Sequence, residues 1–335
     1  MNILKYICLP GLLASGDIQT VSAVESKTDK NPNILVILID DAGYNDFGFM
    51  GSKEMQTPNI DALTSEGVVF TDAHVAATVS SPSRACLITG RYGHRFGYEC
   101  NLSDRTNGLP LEEETIAEVF KTNGYRTAAI GKWHLGSRDE QHPNNRGFDL
   151  FYGMKAGGRD YFYNEKKSDR PGDERNLLLN DRQVKFEKYL TDAFSEKAVE
   201  FINESSQPFM MYLAYNAVHT PMQATDEDMA KFEGHPRQKL AAMTYALDRG
   251  VGTVIRGLKD SGKFDNTLIF FLSDNGGATT NQSSNYPLKG FKGNKFEGGH
   301  RVPYFVVWKN GIPAGKPYDG LVSSLDIFAT AIDAA

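Results

Sequence analysis

The run ILVILID, from Ile34 to Asp40, constrains the fold more than any other feature of the chain. Six apolar residues in a row, most of them β-branched, leave no polar face. A strand built from them has to be covered on both sides. Four further runs share this character: TAAIGKW (127–133), FMMYLAY (209–215), LIFFLSD (268–274) and YFVVW (304–308). Amphipathic helical patterns lie between them. LEEETIAEVFKTNG has an acidic first turn and a glycine stop at Gly124; TDAFSEKAVEFINES and PRQKLAAMTYALDRGVGTVIRGLKDSG follow. Buried strands alternating with helices predict an α/β fold, a large mostly parallel or mixed sheet with helices on both faces. The stretch 136–188 is polar, aromatic and glycine-containing without periodicity. It predicts an excursion of loops over the sheet, of the kind that lines a substrate site.

Composition narrows the class. The chain has 335 residues, 40% hydrophobic and 23% charged, as a soluble globular protein does. Its net charge of −6 is spread along the sequence with no basic stripe, which argues against nucleic acid as a partner. No run past the N-terminus approaches the roughly 20 apolar residues of a membrane span. Residues 1–23 read as an export signal: Lys5, the apolar ICLPGLLASG and a small-residue cleavage site at VSA. Residues 24–32 read as a polar linker and 33–335 as one folded domain. The three cysteines make no disulfide framework. Cys8 leaves with the leader, and Cys86, inside ACLI, reads as a small core residue.

Polar clusters follow the strands directly. ILVILID ends in Asp40 and Asp41, and LIFFLSD in Asp274 and Asn275; TAAIGKWHLG delivers Lys132 and His134, and MMYLAYNAVHTP delivers Asn216 and His219. Ligands of open α/β sheets sit beyond the carboxyl ends of the strands, so these segments should converge on one crevice. One acidic pair alone would be read as a strand-end or helix cap. Two such pairs after two buried strands point to a hard divalent cation, and calcium tolerates irregular oxygen ligation better than magnesium. Lys132 and His134 alternate, so both face one side if the strand runs through them. Lys292, in the glycine-rich GFKGNKFEGGHRVP, adds a cation for an anionic substrate. His74, His142, His235 and His300 read as surface or structural. In VSSPSRACLITGR (79–91), Ser83 is positioned to cap the following helix, and Ser81, before Pro82, is expected in extended backbone. These patterns fit three classes: a metal-assisted hydrolase of an anionic substrate, a metal-dependent phosphatase or phosphodiesterase with a direct Ser or Thr nucleophile, and an inactive glycan-binding protein that keeps the metal site.

The segment SSPSRACLITGR resembles the signature of the formylglycine-dependent (type I) sulfatases, a family of the alkaline-phosphatase-like superfamily. Ser80 takes the modified position, Pro82, Ser83 and Arg84 the core, and Thr89, Gly90 and Arg91 the tail. NILVILIDDAGYNDFG, TPNIDALTSEGVVFTDAH, GYRTAAIGKWHLG, VHTPMQA, LSDNGG and KGNKFEGGHRVP resemble further family segments, in family order. The resemblance implies that Ser80 is oxidised before folding to Cα-formylglycine, whose hydrate is sulfated and then expels sulfate by re-forming the aldehyde. It implies one calcium ion held by Asp40, Asp41, Asp274 and Asn275 and touching residue 80. Arg84 and Lys132 would orient the hydrate, His134 would take its proton, and His219 and Lys292 would grip sulfate and assist the leaving oxygen. A serine at the modified position implies a radical-type maturase as partner and a bacterial, periplasmic setting. There the sequons at Asn101, Asn203 and Asn281 carry no meaning. A sulfated saccharide is the implied substrate. Family members usually continue into a smaller C-terminal subdomain, which is expected to be missing here because the sequence stops at Ala335.

Overall fold

The computed structural model describes residues 31–101 and 108–335. The expected leader and all but the end of the linker lie outside the described residues. The strands are β1 Asn33–Ile39, β2 Val68–Phe70, β3 Ala73–His74, β4 Arg126–Lys132, β5 Leu150–Met154, β6 Leu178–Leu179, β7 Arg182–Gln183, β8 Phe209–Ala214, β9 Thr267–Ser273, β10 Tyr304–Val307 and β11 Val322–Ser323. The helices are α1 Pro58–Thr64, α2 Ser80–Thr89, α3 Ile116–Thr122, α4 Leu190–Glu204, α5 Asp226–Lys231, α6 Gln238–Asp260, α7 Glu297–His300 and α8 Asp326–Ala334.

Among the described residues a nine-stranded sheet runs in the order β2-β10-β9-β1-β8-β4-β5-β6-β7. The five central strands, β9 to β5, are mutually parallel. Antiparallel pairings finish both edges. The mixed sheet follows from β1 itself. Leu35, Ile37 and Ile39 pack into one core with α4 and α6, whereas Ile34, Val36 and Leu38 pack into a second core with α2, α3 and α8. Each face therefore needs its own helical cover, and β1 lies inside the sheet between β9 and β8. Truncating one of these fully buried side chains, as in Ile37→Ala, should cost about 2–5 kcal/mol.

Two expectations need correction. The 136–188 excursion contains a full parallel strand, β5, paired to β4 from Ala128↔Leu150 to Lys132↔Met154. Gly153 masked it in the sequence; a Cβ there would lie 1.9 Å from the Gly131 carbonyl oxygen, so the two backbones meet where no side chain fits. α3 also begins later than the acidic run LEEE suggests. Thr115 is its N-cap and forms a reciprocal capping box with Glu118, so Glu112–Glu114 precede the helix.

Candidate active site

Ser80 is the first residue of α2, after Val79 in extended backbone as N-cap. The first-turn N–H groups of a helix have no intrahelical partner, so Pro82 is accommodated there at little cost. The serines at this mouth are buried and bonded. The Ser81 N–H donates to Asn101 Oδ1 (2.9 Å), and the Ser81 hydroxyl donates to the His134 carbonyl (2.7 Å) and pairs with the Tyr98 hydroxyl (2.7 Å). Ser81 is thus helical rather than extended, because these contacts outweigh the local bias of a residue before proline. Ser83 is not the cap: its N–H donates to the Val79 carbonyl (3.2 Å), one turn inside the helix.

Four strand ends meet beside Ser80. The Asp40 N–H donates to the Ala217 carbonyl (2.9 Å), and the Asp274 N–H to the Ile39 carbonyl (2.8 Å). Asp41 turns into left-handed backbone with φ 62°, a conformation aspartate tolerates better than most residues. Its carbonyl accepts from Asn281 Nδ2 (3.1 Å) and Ser283 Oγ (3.0 Å). The two acidic pairs touch: the Asp41 N–H donates to Asp274 Oδ1 (3.3 Å), and Asn275 Nδ2 to Asp41 Oδ1 (2.8 Å). The Ser80 hydroxyl is 3.2 Å from Asp40 Oδ1 and 3.2 Å from Asn275 Oδ1.

Three cations interlock with these carboxylates. Lys132 Nζ lies 2.6 Å from Asp40 Oδ2 and 3.4 Å from Ser80 Oγ. Arg84 holds Asp274 Oδ2 through Nε (3.0 Å) and Nη2 (2.9 Å) and comes within 3.7 Å of Asp40 Oδ1. Lys292 Nζ reaches Asp41 Oδ1 at 2.7 Å. Burial opposes ionisation of Asp40, but Lys132 and then His219, Arg84 and Lys292 outweigh it and hold the carboxyl far below the usual range. Burial and the Asp40 charge push Asp274 up, against Arg84. Burial, reinforced by Lys132 and Arg84, pushes His134 well below the ordinary imidazole value, so its ring is neutral at pH 7. His219 Nε2 is 3.7 Å from Asp41 Oδ2. His134, His219 and Lys292 are the partly exposed members and lie toward the mouth of the site.

All ten residues singled out in the sequence therefore occupy one crevice, though not always by the expected route. β4 ends at Lys132, and His134 lies beyond it with φ 57°, so the two do not share a strand face. Sequence reasoning missed the supports. Asn281, noted only as a sequon, is fully buried and also donates to the Val218 carbonyl (2.9 Å). Gly157 and Gly158 bring the 136–188 excursion down onto both histidines. A Cβ at Gly157 would lie 2.6 Å from His134 Nε2, and one at Gly158 3.2 Å from His219 Cε1. Only the adjacent glycines hinted at this close approach.

The donor set fits a hard divalent cation. Asp40, Asp41, Asp274 and Asn275 offer oxygen only, and they crowd until one carboxyl is pushed up. Three carboxylates face three cations here, a balance of zero when all are ionised. A divalent cation would bring it to +2, a net charge that favours an anionic group.

Residues 32–335 match the family model described as Sulfatase. The chain is 34% identical over 368 residues to the uncharacterized sulfatase YdeN of Escherichia coli (strain K12), covering 93% of this chain and 64% of that protein. It is 36% identical over 348 residues to arylsulfatase G of Mus musculus, covering 90% and 64%. The chain thus spans 64% of the length of these curated relatives. The structure of Ps i-CgsB in complex with k-i-k-neocarrahexaose superposes with a TM-score of 0.86 at 44% identity, over 91% of this chain and 72% of that one. Family model, relatives and fold agree, and the chain belongs to the sulfatase family of the alkaline-phosphatase-like superfamily.

Proposed function

We propose that this chain hydrolyses sulfate esters of a sulfated glycan, with residue 80 acting as formylglycine beside one calcium ion. The observation that carries the reading is the setting of Ser80 Oγ. It lies at a helix N-terminus between Asp40 Oδ1 and Asn275 Oδ1, each at 3.2 Å, with Lys132 Nζ at 3.4 Å. Oxidised to formylglycine, residue 80 would supply a hydrated aldehyde, a nucleophile that can release sulfate without attack of water on sulfur. Bound calcium would supply Lewis-acid polarisation of a sulfate oxygen. Asp40, Asp41, Asp274 and Asn275 would hold that ion.

The protein's own groups do the rest. Lys132 and Arg84 fix the carboxylates and stabilise negative charge at residue 80, aided by the N-terminal dipole of α2. The neutral ring of His134 is the proton acceptor during release. His219 and Lys292, at the mouth, bind sulfate and assist the departing alcohol oxygen. Ser80 is fully buried, which supports conversion by a maturase before folding. The glycan reading draws on the likeness to a structure bound to a neocarrahexaose. Residues 1–23 would direct export to the periplasm. No helix among the described residues is long and apolar enough to cross a membrane.

The test is a substrate panel on protein co-expressed with a serine-type maturase. Sulfated oligosaccharides should release sulfate in a calcium-dependent, EDTA-sensitive reaction, while phosphate mono- and diesters turn over far more slowly. Preferred hydrolysis of phosphate esters would replace this reading with the phosphatase one.

A further inference from the structure

Beside the mouth of the site lies a second group of ligating side chains, on elements the chemistry above does not use. His74 ends β3, and Glu297 and His300 are the first and last residues of α7. The backbone fixes both histidines. The His74 carbonyl accepts from the Ser324 N–H (2.9 Å), the His300 carbonyl accepts from the Val75 N–H (2.8 Å), and His74 bridges antiparallel to Arg301. Their rings lie 5.1 Å apart, and His74 Nε2 is 3.2 Å from Glu297 Oε2. One ligand atom from each of the three residues falls within 4.8 Å of the others.

We infer that His74, Glu297 and His300 form a second metal site, for a transition ion of the zinc class, separate from the oxygen-only crevice. Two imidazoles and one carboxylate suit zinc and its neighbours, and are poor ligands for calcium. The spacing fits as well. Ligands about 2.0–2.2 Å from a tetrahedral ion lie about 3.3 Å apart, close to the separation of His74 Nε2 and Glu297 Oε2. The Lys295 carbonyl faces the His300 ring, the kind of outer contact that orients a metal-bound imidazole. Arg301 Nη1 competes for Glu297 Oε2 at 3.4 Å, but its guanidinium is anchored independently. It donates to the Thr71 carbonyl from Nε (3.0 Å) and Nη2 (2.6 Å) and pairs with Asp72 (3.3 Å). Glu297 can therefore turn to a metal without undoing Arg301. The fourth position faces solvent, since Glu297 is exposed. Such an ion would tie the segment leading to Ser80 to the loop that carries Lys292.

The experiment titrates the full chain with Zn2+ against a chromophoric chelator in millimolar Ca2+, which keeps the crevice occupied. One equivalent of Zn2+ should bind, with X-ray absorption showing two imidazole ligands. His74→Ala and His300→Ala should each weaken binding more than about 100-fold, beyond the 10–100-fold cost of losing an outer contact. If His74→Ala fails to fold, His300→Asn decides, because His300 is partly exposed at the end of a short helix. Absence of a zinc equivalent, or binding that neither histidine substitution changes, overturns the inference. The readout is binding, so the result is independent of whether the chain cleaves sulfate esters.

Discussion

Replacing Lys132 with methionine keeps the unbranched stem of the side chain and removes its buried ammonium. Lys132 Nζ sits 2.6 Å from Asp40 Oδ2, which corresponds to about 6 kcal/mol of attraction at an effective dielectric of about 20. Much of that offsets desolvation of the two ions. What the substitution leaves behind is a buried carboxylate without its closest partner, typically a loss of about 3–5 kcal/mol. Arg84 remains 3.7 Å from Asp40 Oδ1 and takes up part of the charge, so a loss of about 3 kcal/mol is expected. That corresponds to a fall in Tm of about 5 °C in EDTA, at about 2.1 cal/mol/K of unfolding entropy per residue. An ion at 100 times its Kd adds about 2.7 kcal/mol to either protein, so calcium should narrow the gap by the amount it binds the variant more tightly, because the variant's crevice carries one fewer competing cation. Scanning calorimetry of both proteins in EDTA and in calcium measures all four values. Equal losses with and without calcium, or a loss below about 1 kcal/mol in EDTA, would refute the reasoning. Turnover by the variant should drop at least 100-fold, since Lys132 also faces Ser80 Oγ.

Asn281→Ala removes the donor shared by the Asp41 and Val218 carbonyls; it should cost about 1–3 kcal/mol in chemical denaturation and lower turnover, although Asn281 lies outside the reacting groups. Gly157→Ala places a Cβ 2.6 Å from His134 Nε2 and should reduce kcat at least tenfold with little change in far-UV circular dichroism. His142 donates from Nε2 to the Asn180 carbonyl (3.1 Å) and accepts from the Asn144 N–H at Nδ1 (3.3 Å), an arrangement of the neutral ring. Burial, then Lys155, lowers its pKa, so the unfolded chain binds the proton more readily and stability falls as pH drops below about 6.5. His142→Gln should flatten that slope in denaturation curves taken between about pH 6.5 and 5, and an unchanged slope contradicts the assignment. Burial pushes the Cys86 thiol up to about 11, so at pH 8 it should react with Ellman's reagent only as the protein unfolds.

The parts of this molecule that were legible in the sequence are those in which local chemistry and global fold agree. The apolar run at Ile34–Ile39 has no polar face and reads as a doubly covered strand, and acidic pairs directly after two such strands point to one crevice at the strands' carboxyl ends. The parts that were not legible depend on contacts between distant backbones. β5 is interrupted by Gly153, whose role appears only when Gly131 is placed beside it. Ser81 is helical because Tyr98 and His134 bond its hydroxyl, and neither is near it in sequence. His134 reaches the crevice through a left-handed residue that ends the strand pattern, which no alternation rule anticipates. Asn281 stood out only as a sequon, because nothing local marks a buried asparagine that bonds two carbonyls.

The central claim is that residue 80 works as formylglycine and not as serine. Protein made with and without a serine-type maturase should be digested with trypsin, and the peptide ending at Arg84 weighed beside an assay of sulfate release from a sulfated oligosaccharide. Activity should rise in proportion to the fraction of peptide lighter by the two hydrogens that oxidation removes, and Ser80→Ala should abolish activity while calcium still stabilises the fold. Equal turnover by protein in which residue 80 is entirely unmodified serine would contradict it.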